Sequence, residues 1–261
     1  MPAVHIQSHV YLIGAGPGDP DLLTVKALRL IETADVVVYD RLVSQPILNL
    51  VSPGAELIDV GKAPDHHPFP QPNINSLLVS LSHRFSKIVR LKGGDPYVFG
   101  RGSEEAEVLR DAGVAYTVVP GITSAQGIAS TTGVPLTHRG LATGVRLVTG
   151  HCRAGHDLDL DWDGLADPDT TLVVYMGRGH AAEIARRLIS GGLSADMPVM
   201  LVVDGTRPSE ERHFTTLAGL GATAATIDKR RPTLMVIGRV VELADELAIP
   251  LEAELGRVGH G

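Results

Sequence analysis

The chain has 261 residues, 44% hydrophobic, 20% charged and 4% aromatic, with a formal net charge of −7 and a pI of about 5.8. That balance is of a globular chain with one large or two modest domains, and acidity with few aromatics argues against nucleic acid or an anionic membrane as partner. No apolar run reaches the length of a membrane span and the single cysteine, Cys152, excludes an intramolecular disulfide, so a cytoplasmic protein in a reducing compartment is expected.

Residues 10–13 read as a first strand, followed by Gly14-Ala15-Gly16-Pro17-Gly18-Asp19-Pro20. Asp19 is the expected N-cap, with Pro20 at the first helical position, of a helix carrying Leu23, Ala27, Leu30, Ile31 and Ala34. Residues 36–39 are a buried-strand run ending in Asp40-Arg41, and 57–60 another strand. Prolines make 63–72 an irregular loop. Ile74, Leu77, Leu78 and Leu81 mark a helix. The strand 88–91 runs into Lys92-Gly93-Gly94-Asp95-Pro96-Tyr97-Val98-Phe99-Gly100-Arg101-Gly102, and a helix follows over 104–112, stopped by Gly113. Residues 115–119 close this half as a strand, and the alternation predicts a mostly parallel sheet. A hinge at 119–123 would separate a domain over 1–119 from a second over 123–250, with 251–261 a frayed polar tail. The second half offers helices over 124–130, 183–189 and 217–227, and strands over 145–149, 171–176, 197–203, 212–217 and 234–238. It reads as a second α/β unit with antiparallel pairing; its segment 156–169 is acidic and turn-rich.

The loop from Gly93 to Gly102 sits at the carboxyl end of a strand, where open α/β sheets bind ligands. Its glycines permit close approach to backbone, Asp95 can accept hydrogen bonds and Arg101 can clamp a carboxylate; a tight turn before a capped helix is the bland alternative. Gly14-x-Gly16-x-Gly18, with Asp40 at ribose-binding distance in sequence, invites a dinucleotide reading. The third glycine comes one position early, and Asp19 would repel a pyrophosphate at the helix mouth. Arg41, Arg101, Arg139 and Arg178 each lie just past a strand or in a small-residue loop, which suits a polycarboxylate ligand or, equally, surface ion pairs. Met176, after Tyr175, is either core filler or a ligand contact at a strand end. The histidines, including His66-His67, His151 and His156, show no metal-ligand spacing, so no metal is expected.

Taken together, residues 10–20, 38–44, 90–102, 118–124, 135–139 and 175–177 resemble the tetrapyrrole methylase family, in the family's order. The resemblance implies two α/β domains with the active site in the cleft between them (the class III methyltransferase fold), a homodimer, and S-adenosylmethionine as methyl donor with no metal. It implies that the first glycine loop is not a dinucleotide fingerprint. The activity implied is C-methylation of uroporphyrinogen III at two pyrrole carbons, giving precorrin-2 for sirohaem or cobalamin, by a stand-alone enzyme. Carried over by motif, cofactor contacts are Pro17, Gly93, Gly94, Asp95, Val98, Thr123, Ser124 and Met176, with Gly205 and Thr233 from loops of the second half. Arg41, Arg139 and Tyr175 would meet the substrate, and Glu104 and Arg101 would serve catalysis, with Glu104 or a carboxylate of the substrate itself as proton acceptor. Asp204 and Ser209-Glu210-Glu211 make the loop around Gly205 more acidic than the family pattern. The alternatives are a later corrin-ring methylase, a dinucleotide-dependent oxidoreductase resting on Gly14, Gly16, Gly18 and Asp40, and a non-catalytic tetrapyrrole-binding protein.

Overall fold

A computed structural model describes residues 8–61, 70–151 and 158–247. Most of the proline loop, His66, His67, Cys152, His156 and the expected tail lie outside these described residues. The chain divides into two compact units, Met1–Thr123 and Ser124–Gly261.

In the first unit the elements are β1 (His9–Gly14), α1 (Val25–Ile31), β2 (Val36–Tyr39), α2 (Gln45–Leu48), β3 (Glu56–Asp59), α3 (Gln71–Ser82), β4 (Lys87–Lys92), α4 (Gly102–Asp111) and β5 (Tyr116–Val119). The five strands form one parallel sheet in the order β3-β2-β4-β1-β5. Alternation along each strand sends Ile13, Val37, Val89 and Leu91 to a core with α1 and α2, and Val10, Leu12, Val38 and Ile88 to a core with α3 and α4. Helices therefore cover both faces. The helix expected after Asp19 is shorter than its apolar spacing suggested. Asp19 caps only a 3₁₀ turn, Pro20–Leu22, and α1 starts anew behind Thr24, whose hydroxyl accepts from the Ala27 N–H at 3.2 Å.

The second unit runs α5 (Ser124–Thr132), β6 (Gly144–Thr149), α6 (Trp162–Leu165), β7 (Thr170–Tyr175), α7 (Ala181–Ser190), β8 (Pro198–Val203), β9 (Glu211–Thr216), α8 (Leu220–Thr226), β10 (Thr233–Ile237) and α9 (Ala244–Leu247). Its sheet has the order β6-β7-β10-β8-β9; only β6 and β7 are parallel, and the rest pair antiparallel as expected. One face packs Leu172, Val174, Leu201 and Met235 on α7 and α8, the other Val173, Met200, Val202 and Leu234 on α5.

Candidate active site

In the first sheet β1 and β4 are neighbours whose outgoing connections leave in opposite directions, to β2 past β4 and to β5 past β1. Such a reversal opens a crevice at the carboxyl edge of a parallel sheet. The two glycine loops occupy that edge and bind each other: the Gly16 N–H donates to the Gly94 carbonyl at 3.1 Å and the Gly94 N–H to the Gly16 carbonyl at 2.7 Å. Those N–H groups are thus spent within the protein rather than turned to a pyrophosphate, which removes the main support for the dinucleotide alternative.

Close backbone approach explains the glycines. A Cβ on Gly14 would lie 2.5 Å from the Gly121 nitrogen, and one on Gly121 would lie 2.3 Å from the Gly94 carbonyl oxygen. Gly94 itself, at φ +70°, would meet nothing within 4 Å, so the loop presents bare backbone there. Asp95 braces the loop: its Oδ1 accepts from the Tyr97 N–H at 2.8 Å and its Oδ2 from the Gly121 N–H at 3.0 Å. Pro17 and Thr123 are buried, and Gly93 and Val98 half-buried.

Phe99 and Arg101 both adopt left-handed φ, 54° and 60°, and Arg101 is the N-cap of α4. From that position its Nε and Nη2 donate to both oxygens of Glu104 at 2.8 and 2.7 Å, a bidentate pair at the exposed surface. The hydrogen bond from Arg101 holds the Glu104 carboxyl below its ordinary 4.5, and the same bond raises Arg101.

After β2, Asp40 shapes the turn that carries Arg41. Its Oδ1 accepts from the Leu42 N–H at 3.0 Å and its carbonyl from the Val43 N–H at 3.2 Å. Arg41 is exposed and has no ion-pair partner among the described residues. Behind the turn lies a group of charges absent from the sequence reading. Glu105, with no exposed surface, accepts at Oε1 from Arg90 Nε (3.1 Å), Lys92 Nζ (2.8 Å) and Gln71 Nε2 (3.2 Å). Arg90 also stands 3.7 Å from Asp40 Oδ2. Burial, then the Arg90 charge, lowers the Lys92 pKa. The signal was present in the sequence. Glu105 falls on the buried stripe Gly102, Glu105, Ala106, Leu109 of α4, and Arg90 and Lys92 share with Ile88 the inner face of a buried strand.

In the second unit, the Tyr175 hydroxyl accepts from the Ala125 N–H at 3.0 Å and so ties the end of β7 to the start of α5, next to Ser124. Met176 follows with φ 54° and is 51% exposed, which excludes the core-filler reading. Arg139 is exposed with no ion pair among the described residues. Arg178 is half-buried and donates to the Ile227 carbonyl at 3.3 Å, an internal tie and not a free ligand clamp.

A Cβ on Gly205 would come within 2.3 Å of Ile128 Cγ2, so the loop lies flat on α5. Flanking it, Asp204 and Thr206 take left-handed φ of 50° and 68°. The acidity of this loop is internally matched. Asp204 pairs with Arg231 at 2.8 Å, Glu211 also pairs with Arg231, and buried Glu210 pairs with Arg212 at 2.7 Å. Glu210 Oε2 further accepts from the Thr206 N–H at 2.7 Å and the Thr131 hydroxyl at 2.9 Å. Thr233, expected in a loop, is instead the first residue of β10, paired with Val203, because the apolar run after it carries the ladder to its start.

Among the described residues, the non-glycine residues with left-handed φ are Phe99, Arg101, Met176, Asp204 and Thr206, all in loops that carry predicted contacts. Strain of this kind gathers where a site must be preorganised. Among the described residues no three His, Cys, Asp or Glu side chains cluster as metal ligands would.

Residues 9–221 match the family model described as tetrapyrrole (corrin/porphyrin) methylases. The chain is 51% identical over 255 residues to the uroporphyrinogen-III C-methyltransferase of Paracoccus denitrificans, spanning 97% of this chain and 89% of that one. It is 50% identical over 242 residues to the siroheme synthase of Thiobacillus denitrificans, covering 93% of this chain but only half of that longer protein. In three dimensions it resembles the uroporphyrin-III C-methyl transferase of Thermus thermophilus solved with S-adenyl homocysteine, with a TM-score of 0.77, 42% identity, and coverage of 90% of this chain and 94% of the other.

Proposed function

This chain belongs to the tetrapyrrole methylase family, and on that premise we propose that it methylates uroporphyrinogen III at two pyrrole carbons, giving precorrin-2 by way of precorrin-1. The observation that carries the reading is the bare backbone at Gly94, braced by Asp95 and Gly16 at the reversal point of the parallel sheet. With the Gly94 N–H and carbonyl already bonded to Gly16, what it offers a small ligand is close approach to bare backbone. S-adenosylmethionine fits it and supplies, when bound, a methyl group already activated on a sulfonium. The residues assigned to it by motif are Pro17, Gly93, Gly94, Asp95, Val98, Thr123, Ser124, Met176, Gly205 and Thr233.

The chain's own task is alignment, since orientation alone contributes about 7 kcal/mol or more at good geometry. The acceptor carries eight carboxylates, and Arg41 and Arg139, exposed and without ion pairs among the described residues, are free to meet them. Tyr175 lines the same substrate. The methylated carbon must lose a proton, and Glu104, or a substrate carboxylate, accepts it. The low pKa of Glu104 keeps it ionised at neutral pH but makes it a weak base, so its stronger contribution is to orient Arg101 toward developing charge. The enzyme works as a cytoplasmic homodimer.

Anaerobic incubation with uroporphyrinogen III and methyl-labelled S-adenosylmethionine, followed by mass spectrometry, tests the reaction. Two added methyl groups are expected. No transfer, with S-adenosylhomocysteine still bound in calorimetry, would move the substrate to a later corrin intermediate.

A further inference from the structure

We propose that Glu105 is a positioning residue: from a fully buried site it fixes, through Arg90 and Lys92, the three first-unit loops that carry Arg41, Gly93–Asp95 and Arg101. Each link is a contact. Glu105 lies on α4, one turn from its N-cap Arg101. Its Oε1 gathers Lys92, the residue before Gly93, and Arg90, two residues earlier on the same strand. Arg90 donates to the Leu91 carbonyl at 3.0 Å and faces Asp40 Oδ2 at 3.7 Å. Asp40 in turn closes the Arg41 turn through the Leu42 N–H. One carboxylate thus binds the ends of β2 and β4 to the start of α4.

Stability alone does not account for this arrangement. Apart from Gln71, whose amide also donates to Glu105 Oε1, the surroundings are apolar, with Ala106 and Leu109 beside Glu105 on α4 and Ile88 beside Arg90 on β4. Apolar side chains of similar volume commonly serve as well as or better than a buried ion group. Glu105 Oε2 moreover has no hydrogen-bond partner among the described residues, a cost that packing would avoid. What the charges add is direction: each guanidinium and ammonium bond sets one loop against another.

This role deepens the proposed reaction and rests on it for what the loops hold, so the test has one readout that needs no turnover. Glu105→Gln keeps the size and one acceptor but removes the charge. Amide exchange should quicken in peptides spanning 39–44 and 92–101 while β8 of the second unit stays protected. In turnover, kcat should fall about tenfold or more with each KM changed less than about threefold, the mark of lost alignment. A lowered melting temperature with unchanged loop exchange and unchanged kcat would overturn the proposal. Should Glu105→Gln not fold, the apolar triple variant Arg90→Met, Lys92→Met, Glu105→Leu decides. A stable triple variant with loosened loops and low kcat supports positioning, and one with wild-type exchange and turnover refutes it. If wild-type protein transfers no methyl group, the reaction reading fails, and the exchange measurement still decides the role of Glu105.

Discussion

Arg101 and Glu104 sit three residues apart, and the left-handed turn at Arg101 is what lets both nitrogens reach both oxygens. Being exposed, the pair adds under about 1 kcal/mol to stability, and the role proposed for it is aiming the guanidinium. Glu104→Gln should therefore leave the melting temperature nearly unchanged and lower kcat/KM about tenfold or more at neutral pH. The sign of the pH effect follows from the depressed pKa. The ionised pair is fully present above the ordinary value of 4.5 and is lost as pH falls through the lowered one, so the gap between wild type and variant should stay constant near neutrality and close only in acid. A gap that closes between pH 6 and 8, seen in a kcat/KM profile, would contradict this. The loops that carry Arg41, Gly93–Asp95 and Arg101 were legible in the sequence because each follows an apolar strand run, while the roles of their residues were carried over by motif. Arg90, Lys92 and Glu105 were not, because charge in an apolar stripe is usually read as a solvated face, and only the meeting of α4 with β4 shows that Glu105 pairs with both cations while Asp40 faces Arg90 with the second negative charge.

The strands were legible almost to their ends because buried parallel strands are unbroken β-branched runs, as in Val36-Val37-Val38-Tyr39. The four-residue helices α2, α6 and α9 were not, since one turn has no period to detect, and α8 begins at Leu220 because β9 and a turn use the residues before it. Glycine motifs were found but their tasks were not separable, and substitutions should separate them. Gly121→Ala places a Cβ against backbone of two neighbouring segments, which cannot yield as a side chain would, and should destabilise by about 3 kcal/mol. Gly94→Ala meets open space, so only its left-handed φ costs, about 1 to 2 kcal/mol. Yet its methyl would stand on the proposed cofactor surface, and calorimetry with S-adenosylhomocysteine should show binding lost in a protein that still melts cooperatively. On α7, Glu183 is held at about 2 by hydrogen bonds from Arg186 and then Arg187. Its depressed pKa gives a contribution present above 4.5 and lost as pH falls toward 2. Melts of Glu183→Gln and wild type should differ most near neutrality and converge in acid, and salt should narrow the difference because the site is open to solvent.

Across the whole molecule, a net charge of −7 meets a substrate with eight carboxylates, so two electrostatic effects of opposite sign compete. Far from the site the protein repels its substrate; in the role proposed for them, the exposed Arg41 and Arg139 attract it. Their ranges differ. The Debye length is about 30 Å at 0.01 M salt, about 8 Å at 0.15 M and about 3 Å at 1 M. Repulsion from charge spread over a molecule of this size is therefore cut away between the first two conditions. An arginine–carboxylate contact of about 3 Å keeps most of its strength until the third. Composition supplied the first term, and the second needed the structure, because only the fold shows which arginines are spent internally, as Arg178 is on the Ile227 carbonyl. The expected dependence is thus not the monotonic fall of a basic protein meeting an anion. For wild type kcat/KM should rise from about 0.01 M to about 0.15 M salt and then decline toward 1 M. Arg41→Gln should keep the rise, which belongs to the whole molecule, and flatten the decline, which belongs to the site. A wild-type profile that falls from the lowest salt onward would mean that the site's cations govern the far field as well, and would overturn this division of roles.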